Sequence, residues 1–453
     1  MLTYELKKAP GVPLYEALYR CIRADILNGT LQPGQKLPSK RTLCANLKVS
    51  KITVETAYQQ LLEEGYLRSE EKIGYFVETV ERTNPKPILR PVPETPTEDY
   101  IDLIQNTPAK FPFSVWSKLQ RQVMLDLGEK LLLPMPNQGL PQLRQAIAEH
   151  LWEFRGMQVD PENILVGAGT DFLYNLLVQL LGREKCYAVE EPGYRKIRKI
   201  YHAAGANCIG VPLDLQGICP EALENAQVLH ISPAHHFPSG IITPLSRRQE
   251  LLSWAKEQDD RWIIEDDYDS EFRFSAHPLP AMQSLDAHKV IYINTFSKTL
   301  APSIRISYMV LPEQLMTQLR QSLGFYSCTV PSFEQYTLAR FLQEGHFEKH
   351  INRMRKFYKS QRNRLLAALQ NSPFRLTVLE EDAGLHFLLQ VDTELTDEAL
   401  VAYCQNKGIL VQSLCSFYSG KAPKEAQGKL VVNYSGLTED RLTQLEEKLL
   451  TMQ

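Results

Sequence analysis

A chain of 453 residues is too long for one ordinary hydrophobic core, so its length predicts two or three domains. Hydrophobic residues make up 43% of the chain and charged residues 23%, and the net charge at pH 7 is −3, which is typical of soluble globular proteins. This near-neutral balance does not by itself indicate nucleic acid as a partner. The N-terminal segment MLTYELKKAP contains no apolar signal region, and no apolar run approaches membrane-spanning length. We therefore expect a cytoplasmic protein with no membrane partner.

The eight cysteines are scattered along the chain, with no C-x-x-C spacing. This pattern indicates neither a cysteine zinc site nor a disulfide framework. We expect reduced, buried thiols and no bound metal.

Three helical patterns precede Gly65. The first ends at Gly29, and its apolar positions recur at helical spacing: Tyr15, Leu18, Ile22 and Ile26. A Pro-Gly turn then leads to Ser39, which can cap a short second helix, and Ser50 can cap a third. The following segment, YLRSEEKIGYFV, predicts two short strands joined by a turn. Two short helices joined by a tight turn and followed by a hairpin form a winged helix-turn-helix, whose second helix enters the major groove of DNA.

Any small three-helix domain could show these periods, but the residues are more specific. The stretch ILNGTLQPGQKLPSKRTLCANLKVSKITVETAYQQLLEEGYL closely resembles the DNA-binding domain of the GntR family, over about residues 12–78. Lysine stands where the family usually has arginine, at Lys51. It keeps the charge but loses the bidentate fork, so a phosphate contact is expected there rather than guanine reading. The resemblance implies contacts with double-stranded DNA, with Gly74 shaping the wing, from Ser39, Arg41, Ser50, Lys51 and Thr53.

The stretch ERTNPKPILRPVPETPTE holds five prolines and shows neither helical nor alternating periodicity. Such a stretch favours an extended, semi-stiff spacer. We therefore place a DNA-binding domain at residues 1–80, a linker at 81–99 and a second domain at 100–453. Within the second domain we expect a large part at about 100–315 and a small C-terminal part at about 316–453.

After this linker, apolar runs of strand length alternate with helical stretches. The runs are ILVGAG, CYAVEE, NCIGVPL, VLHISP, WIIEDD, KVIYINT and ISYMVL. Most of them are almost continuously apolar, as in strands buried on both faces of a mainly parallel sheet. The predicted fold class is therefore multi-domain α/β, and ligands of such sheets bind at the carboxyl ends of the strands.

Several strand ends carry side chains suited to a ligand. Gly169 and Thr170 open an apolar helix, which suits a phosphate but also fits an ordinary capped helix. Asp266 could keep a pyridinium nitrogen protonated and Tyr268 could bond the ring oxygen, although acidic residues after strands also serve as loop caps or metal ligands. Tyr194 follows a Pro-Gly turn, where its ring could stack on a flat cofactor or be no more than a turn aromatic.

The segment NTFSKTLAPSIRIS is the most specific motif of the chain. Lys298 can form an imine with an aldehyde, provided that its surroundings lower its pKa enough to expose the free amine. Thr295, Ser297 and Arg305 supply two hydroxyls and a guanidinium fork for a dianionic phosphate on the same ligand.

Together these pieces resemble pyridoxal-phosphate enzymes of fold type I, the aspartate-aminotransferase superfamily, over about residues 100–450. The resemblance implies that Lys298 is the Schiff-base lysine and Asp266 the partner of the pyridine nitrogen. It implies further that Tyr268 is the partner of the ring oxygen and Tyr194 the stacking ring. The implied phosphate cup, beside Gly169, consists of Thr170, Thr295, Ser297 and Arg305.

A GntR head on such a body resembles the MocR subfamily of bacterial regulators. The segments EDDYDSEFR, SPAHHFPSG, LAPSIRISYMVLP and AGLHFLL add to this likeness. In that subfamily the aminotransferase-like body senses pyridoxal phosphate and sometimes an amine or amino acid. Its members typically form a head-to-tail homodimer.

Three departures from the aminotransferases favour sensing over turnover. Phe237 stands where they have an asparagine, and the strand GKLVVNYSG offers Lys429 where they present an arginine for the substrate carboxylate. LLPMPNQG also lacks the tyrosine that usually reaches the partner's phosphate. We expect effector contacts at His235, His236 and Lys429.

The first hypothesis is a DNA-binding transcriptional regulator that holds pyridoxal phosphate as an internal aldimine on Lys298 and thereby modulates operator binding. The alternative is an active aminotransferase carrying a DNA-binding head, which steady turnover would support. A third hypothesis is a body that binds an unrelated effector and leaves Lys298 unmodified. The motifs favour the first.

Overall fold

The computed structural model describes residues 4, 6, 13–80, 100–105, 110–272, 279–379 and 384–451. The chain divides into two compact units, Met1–Pro96 and Thr97–Gln453, here named the head and the body. The predicted linker at 81–99 lies outside the described residues. Within the described part of the chain, the helices are too short or too polar to cross a membrane.

The head contains three helices followed by a hairpin, as the periodicity predicted. Its elements are α1 (Leu14–Asn28), α2 (Lys40–Leu47), α3 (Lys51–Glu63), β1 (Leu67–Glu70) and β2 (Gly74–Val77). The hydroxyl oxygens of Ser39 and Ser50 cap α2 and α3 by accepting the amides of Thr42 and Thr53, each at 3.2 Å. Gly29 ends α1 in the left-handed region, at φ 77°. The winged helix-turn-helix is therefore confirmed.

The body begins with β3 (Ile101–Asp102), which precedes an eight-stranded sheet. In chain order the strands of this sheet are β4 (Ile164–Gly167), β5 (Cys186–Glu191), β6 (Asn207–Asp214), β7 (Gly217–Ile218), β8 (Val228–Ile231), β9 (Trp262–Asp267), β10 (Val290–Thr295) and β11 (Ser307–Val310). Their spatial order is β4-β11-β10-β9-β8-β5-β6-β7, and β11 and β7 run antiparallel to their neighbours. Each predicted apolar run contributes one strand, so the mainly parallel α/β sheet is confirmed.

Helices pack on this sheet, whose two faces are both buried. Val166 and Tyr292 belong to one apolar cluster and Leu165 and Ile293 to another, because alternate residues of a strand point to opposite faces. The helices are α4 (Phe113–Leu127), α5 (Pro141–Arg155), α6 (Thr170–Leu181), α7 (Arg195–Ala203), α8 (Leu245–Lys256), α9 (Met282–Leu285) and α10 (Glu313–Ser322).

The C-terminal part of the body forms a smaller α/β layer. Its helices are α11 (Ser332–Gln343), α12 (His346–Gln370), α13 (Asp397–Asn406) and α14 (Glu439–Thr451). Its strands are β12 (Leu376–Leu379), β13 (His386–Val391), β14 (Ile409–Leu410), β15 (Gln412–Ser413) and β16 (Lys429–Asn433). An antiparallel sheet has the order β12-β13-β16-β15, while β14 pairs in parallel with β3. The start of the body is thus joined to its C-terminal part.

The parallel strands β5, β8, β9 and β10 end at one edge of the large sheet, as parallel neighbours must. Arg248, a fully buried residue of α8, holds the loop after β8 in place. Its guanidinium donates to the carbonyl oxygens of Pro233, Thr243 and Pro280, at 2.7, 2.9 and 2.7 Å. These hydrogen bonds fix the loop at the edge of the sheet where the side chains of the candidate site converge.

Candidate cofactor site

A cavity of about 580 Å³ opens at this carboxyl edge. The residues predicted to hold a cofactor come from distant parts of the sequence, yet the structure brings them together around it. The predicted residues that line the cavity are Thr170, Tyr194, Asp266, Tyr268, Thr295, Ser297, Lys298 and Arg305.

Asp266, near the end of β9, is positioned by neighbours that the sequence did not reveal. Its Oδ2 atom accepts the hydroxyl of Tyr174 at 2.5 Å and lies 3.4 Å from Nε2 of His230, which in turn is held by Tyr201. Its other oxygen, Oδ1, is buried without a hydrogen-bond partner among the described residues. A buried acceptor of this kind needs a donor. The protonated ring nitrogen of pyridoxal phosphate would supply one, so Asp266 fits the group.

Lys298 follows β10 and is partly buried. Burial lowers the pKa of its ammonium group, and the nearby carboxylates of Asp269 and Asp266 act in the opposite direction. The net direction is downward, which raises the share of free amine at neutral pH. The free amine is the form that attacks an aldehyde.

Part of the predicted phosphate cup lies at the N-terminus of α6. Arg305 reaches this helix end, where its Nη2 atom donates to the carbonyl of Ala168 at 3.1 Å and lies 3.4 Å from the Asp171 carboxylate. Gly169 has φ +89°, and a Cβ there would lie 2.2 Å from Arg305 Nη2, so glycine is required for this close approach. The Ser297 hydroxyl is buried without a partner among the described residues. Helix amides, a guanidinium and an open hydroxyl together suit a phosphate.

Thr295 has a second task beside the cavity. Its Oγ1 accepts the hydroxyl of Ser307 at 2.7 Å and the amide of Ser297 at 3.1 Å. The hydroxyl therefore helps to hold the turn that carries Lys298. Tertiary packing thus gives Ser307 a structural role beside Lys298.

The two predicted tyrosines lie on different walls. Tyr194 is half exposed, and its ring meets Phe237 edge-on at a centroid distance of 6.2 Å. Tyr268 stacks on His235 at 6.0 Å, with its hydroxyl 3.4 Å from His235 Nδ1. Phe417, which the sequence did not single out, packs against Phe237 at 5.3 Å and completes an apolar wall.

The three residues predicted to contact an effector do not line the cavity. His235 stands behind Tyr268, and His236 is hydrogen-bonded to Ser239 at 2.6 Å. Lys429 begins β16, opposite Gln390 in the register, whereas Asn433, at the other end, donates to the carbonyl of Ile104, which lines the cavity. At a rise of about 3.3 Å per residue, Lys429 lies about 13 Å along the strand from that end. Direct contact from Lys429 to a ligand in the cavity is therefore not supported.

Glu190 is a further residue of the cavity that the sequence reading missed. It ends a buried strand, accepts the amide of Ser232 at 3.0 Å, and lies 3.6 Å from His236 Nε2. Burial raises its pKa to about 8. The carboxyl group is consequently protonated in the folded body at neutral pH.

Glu190 should therefore make the body less stable as the pH rises. Its pKa is near 4.5 in the unfolded chain and about 8 when folded. Its contribution is complete below pH 4.5 and is lost as the pH rises through 8, by up to about 1.4 kcal/mol per pH unit. Glu190→Gln keeps an acceptor for Ser232, and should flatten the dependence of the unfolding free energy on pH, measured by urea titration. An unchanged slope in this variant would assign the pH dependence to other groups.

The DNA-contact residues predicted for the head lie at the starts of α2, α3 and β2. Arg41 and Lys51 are exposed near the starts of α2 and α3, while Thr53 is half buried and bonded to Ser50. Gly74 opens β2, where a Cβ would lie 3.0 Å from Lys36 Cε. Ile52 was not predicted, but it is 74% exposed in the first turn of α3.

Comparison with known proteins matches both units. The family described as "Bacterial regulatory proteins, gntR family" matches residues 14–77, and "Aminotransferase class I and II" matches residues 98–449. The chain is 35% identical to the uncharacterized HTH-type transcriptional regulator YdeL of Bacillus subtilis, covering 99% of this chain and 98% of that one. It is 32% identical to the probable rhizopine catabolism regulatory protein MocR of Rhizobium meliloti, covering 95% and 92%. It is 31% identical to the HTH-type pyridoxine biosynthesis transcriptional regulator PdxR of Corynebacterium glutamicum, covering 93% and 92%.

Among solved structures, the body resembles kynurenine aminotransferase of Pyrococcus horikoshii, crystallised with PMP. The TM-score is 0.67 and the identity 25%, over 78% of this chain and 90% of that one. The multiple substrate aminotransferase of Thermococcus profundus gives a TM-score of 0.69 at 23% identity, over 78% and 91%, and shows the same fold.

Proposed function

This chain belongs to the MocR subfamily of GntR-family transcriptional regulators, and we propose that its body holds pyridoxal phosphate on Lys298 and thereby modulates operator binding by the head. The observation that supports this most directly is the buried Oδ1 of Asp266, which has no hydrogen-bond partner in the described part of the chain and lies in the same cavity as Lys298. When bound, pyridoxal phosphate supplies an aldehyde that can link covalently to an amine. Asp266 would hold the ring nitrogen, and Ser297, Arg305 and the start of α6 the phosphate.

The effector is either the cofactor itself or an amine that joins it. The wall formed by Phe237 and Phe417 is apolar, and Lys429 lies outside the cavity. Apart from Lys298 and Arg305, the cations that line the cavity lie on α7: Arg195, Lys196, Arg198 and Lys199. A carboxylate on the effector would bind there and not at Lys429.

The regulatory link is tested by DNA binding. Binding of the purified protein to DNA from upstream of its own gene would be measured by fluorescence anisotropy at fixed salt, with and without pyridoxal phosphate. A coupling between the two sites should change the affinity about 5- to 150-fold. Equal affinity in both conditions, together with steady turnover of an amino donor and an oxo acid, would support the aminotransferase alternative.

Exposed side chains near the starts of α2 and α3 support two kinds of DNA contact. Arg41→Ala should weaken operator and nonspecific binding alike, and lower the slope of log affinity against log salt by about 1, because arginine neutralises a phosphate. Ile52→Ala should weaken operator binding about fivefold or more while leaving the salt slope unchanged, because an apolar side chain reads a thymine methyl group and not charge. Gln59→Ala, exposed further along α3, is the control. An Ile52 variant that changed operator and nonspecific binding equally would contradict the base contact.

A homodimer is the expected assembly, and we propose the head-to-tail arrangement typical of the subfamily. The body exposes a set of large apolar side chains, each at least 63% accessible: Phe113, Leu125, Leu132, Leu133 and Phe325. Four of the five lie on α4 or in the segment directly after it, so we propose that this part of the body contributes to the dimer interface. Light scattering should give the mass of a dimer for the wild type and a smaller mass for Leu132→Glu.

A further inference from the structure

Three buried side chains meet beside the cavity wall. One of them, Asp269, acts on Lys298 through its charge, but none of the three lines the cavity. His235 comes from the loop after β8, Asp269 from the loop after β9, and His386 from the start of β13. All three are at most 3% exposed. One ligand-type atom from each lies within 4.8 Å of the others. We name them the histidine–aspartate cluster.

The cluster is short of hydrogen-bond partners. Nδ1 of His235 is paired with Asp269 Oδ2 at 2.9 Å, but its Nε2 has no hydrogen-bond partner among the described residues. The His386 ring faces the backbone of Pro238, but neither of its nitrogens has a partner of normal geometry among those residues. The two rings lie 4.5 Å apart. Buried polar atoms left without partners are costly, so nitrogens in this number call for a ligand.

The types of donor atom in the cluster indicate which ligand it would bind. Two imidazoles and a carboxylate are the ligands of divalent first-row transition metals. Burial holds the pKa of His386 well below its ordinary value, which keeps the ring in the neutral form that binds metals.

The packing around the cluster excludes a larger occupant. Gly384 touches it so closely that a Cβ there would lie 2.4 Å from His235 Nδ1 and 2.7 Å from Asp269 Oδ2. None of the three residues lines the cofactor cavity, since Tyr268 and Phe237 stand in between. This close approach by Gly384 suits a single ion better than an organic amine. Metal–nitrogen bonds of about 2.1 Å need donor atoms closer than in the cluster, which side-chain rotations would achieve.

We propose that His235, Asp269 and His386 form a binding site for a divalent transition-metal ion such as Zn²⁺. The ion would tie the start of β13, in the C-terminal part, to the loops after β8 and β9. It would also fix the ring on which Tyr268 stacks. The proposal does not depend on the cofactor or on DNA binding, and it revises the expectation of no metal, which rested on cysteine spacing alone.

The test is metal binding by the full-length protein after treatment with a chelator. Zn²⁺ would be titrated in competition with a chromophoric chelator, and Co²⁺ would be followed by its visible absorption. One ion per chain is expected. His235→Gln and His386→Gln should each weaken binding about 10-fold or more, while His236→Gln, an adjacent buried histidine, should leave it unchanged. Tryptophan fluorescence would check that each variant is folded.

One control and one further measurement make the outcome decisive. The titration is repeated on Lys298→Ala without cofactor, because pyridoxal phosphate itself chelates metals. Binding that disappears in this variant, or that persists in both cluster variants, would overturn the proposal. If the variants do not fold, X-ray absorption of the Zn²⁺-loaded wild type gives the answer, since it should report two imidazole ligands. One imidazole or none would also overturn it.

Discussion

Lys298→Ala is expected to abolish both the covalent capture of pyridoxal phosphate and the response of DNA binding to the cofactor. Burial lowers the pKa of the Lys298 ammonium group, so the wild-type side chain offers a free amine at neutral pH. Alanine removes this amine and leaves the walls of the cavity in place. Binding to DNA without cofactor should stay within about twofold of the wild type, because the head is a separate compact unit.

Three measurements check this expectation. The visible absorbance that appears on adding cofactor to the wild type should be absent from the variant. Borohydride reduction followed by mass spectrometry should give a covalent adduct on the wild type alone. Anisotropy at fixed salt should show the cofactor response, estimated above at 5- to 150-fold, reduced to none.

Lys199→Ala is the matched control. Lys199 also lines the cavity, but it lies exposed on α7. Its removal should leave the adduct and the response intact. An adduct that persists in Lys298→Ala, or is lost from Lys199→Ala instead, would move the attachment to another lysine. A wild type without an adduct would favour a body that binds an unrelated effector.

Arg155→Ala is expected to destabilise the body by about 3–5 kcal/mol, because it leaves a buried carboxylate without its cation. Arg155, at the end of α5, lies 3.0 Å from Asp267, at the end of β9, and the two side chains are only 2% and 1% exposed. Asp267 keeps one other contact, the hydroxyl of Tyr292 at 2.7 Å. The residue before it is Asp266, so the variant should also weaken cofactor binding.

Urea unfolding followed by tryptophan fluorescence measures this effect in the body alone. All four tryptophans (Trp116, Trp152, Trp254 and Trp262) belong to it. Glu153→Ala, exposed on the same helix, should change the unfolding free energy by no more than about 0.5 kcal/mol. Adding Asp267→Asn to Arg155→Ala should recover part of the loss, since it removes the uncompensated charge. A loss below about 1 kcal/mol in the single variant would contradict the assignment.

Local features of the chain could be predicted from the sequence because they depend on residues that are close together in the chain. Ser39 and Ser50 cap their helices through amides three residues away, and Gly29 ends its helix through its own backbone freedom. The strands of the large sheet were readable for a similar reason, because strands buried on both faces must be continuously apolar. The residue types around Lys298 indicated a phosphorylated aldehyde before any contact was known.

Contacts between distant segments could not be predicted from such local patterns. The partners of Asp266 include Tyr174, 92 residues earlier, and His230, 36 residues earlier, and neither shows a local pattern. Lys429 was placed in a suitable strand, but the register puts that end of the strand away from the cavity.

The sequence by itself determined the winged head, the parallel sheet of the body and the chemistry of its ligand. It did so because helix caps, apolar periods and the residue types at strand ends are all local properties. Only the tertiary structure decided which side chains surround Asp266, which glycine admits Arg305, and that His235, Asp269 and His386 meet. The physical reason is that a buried polar atom bonds to whichever group lies next to it in space. Which groups lie next to it depends on how strands and loops that are far apart in the chain pack together.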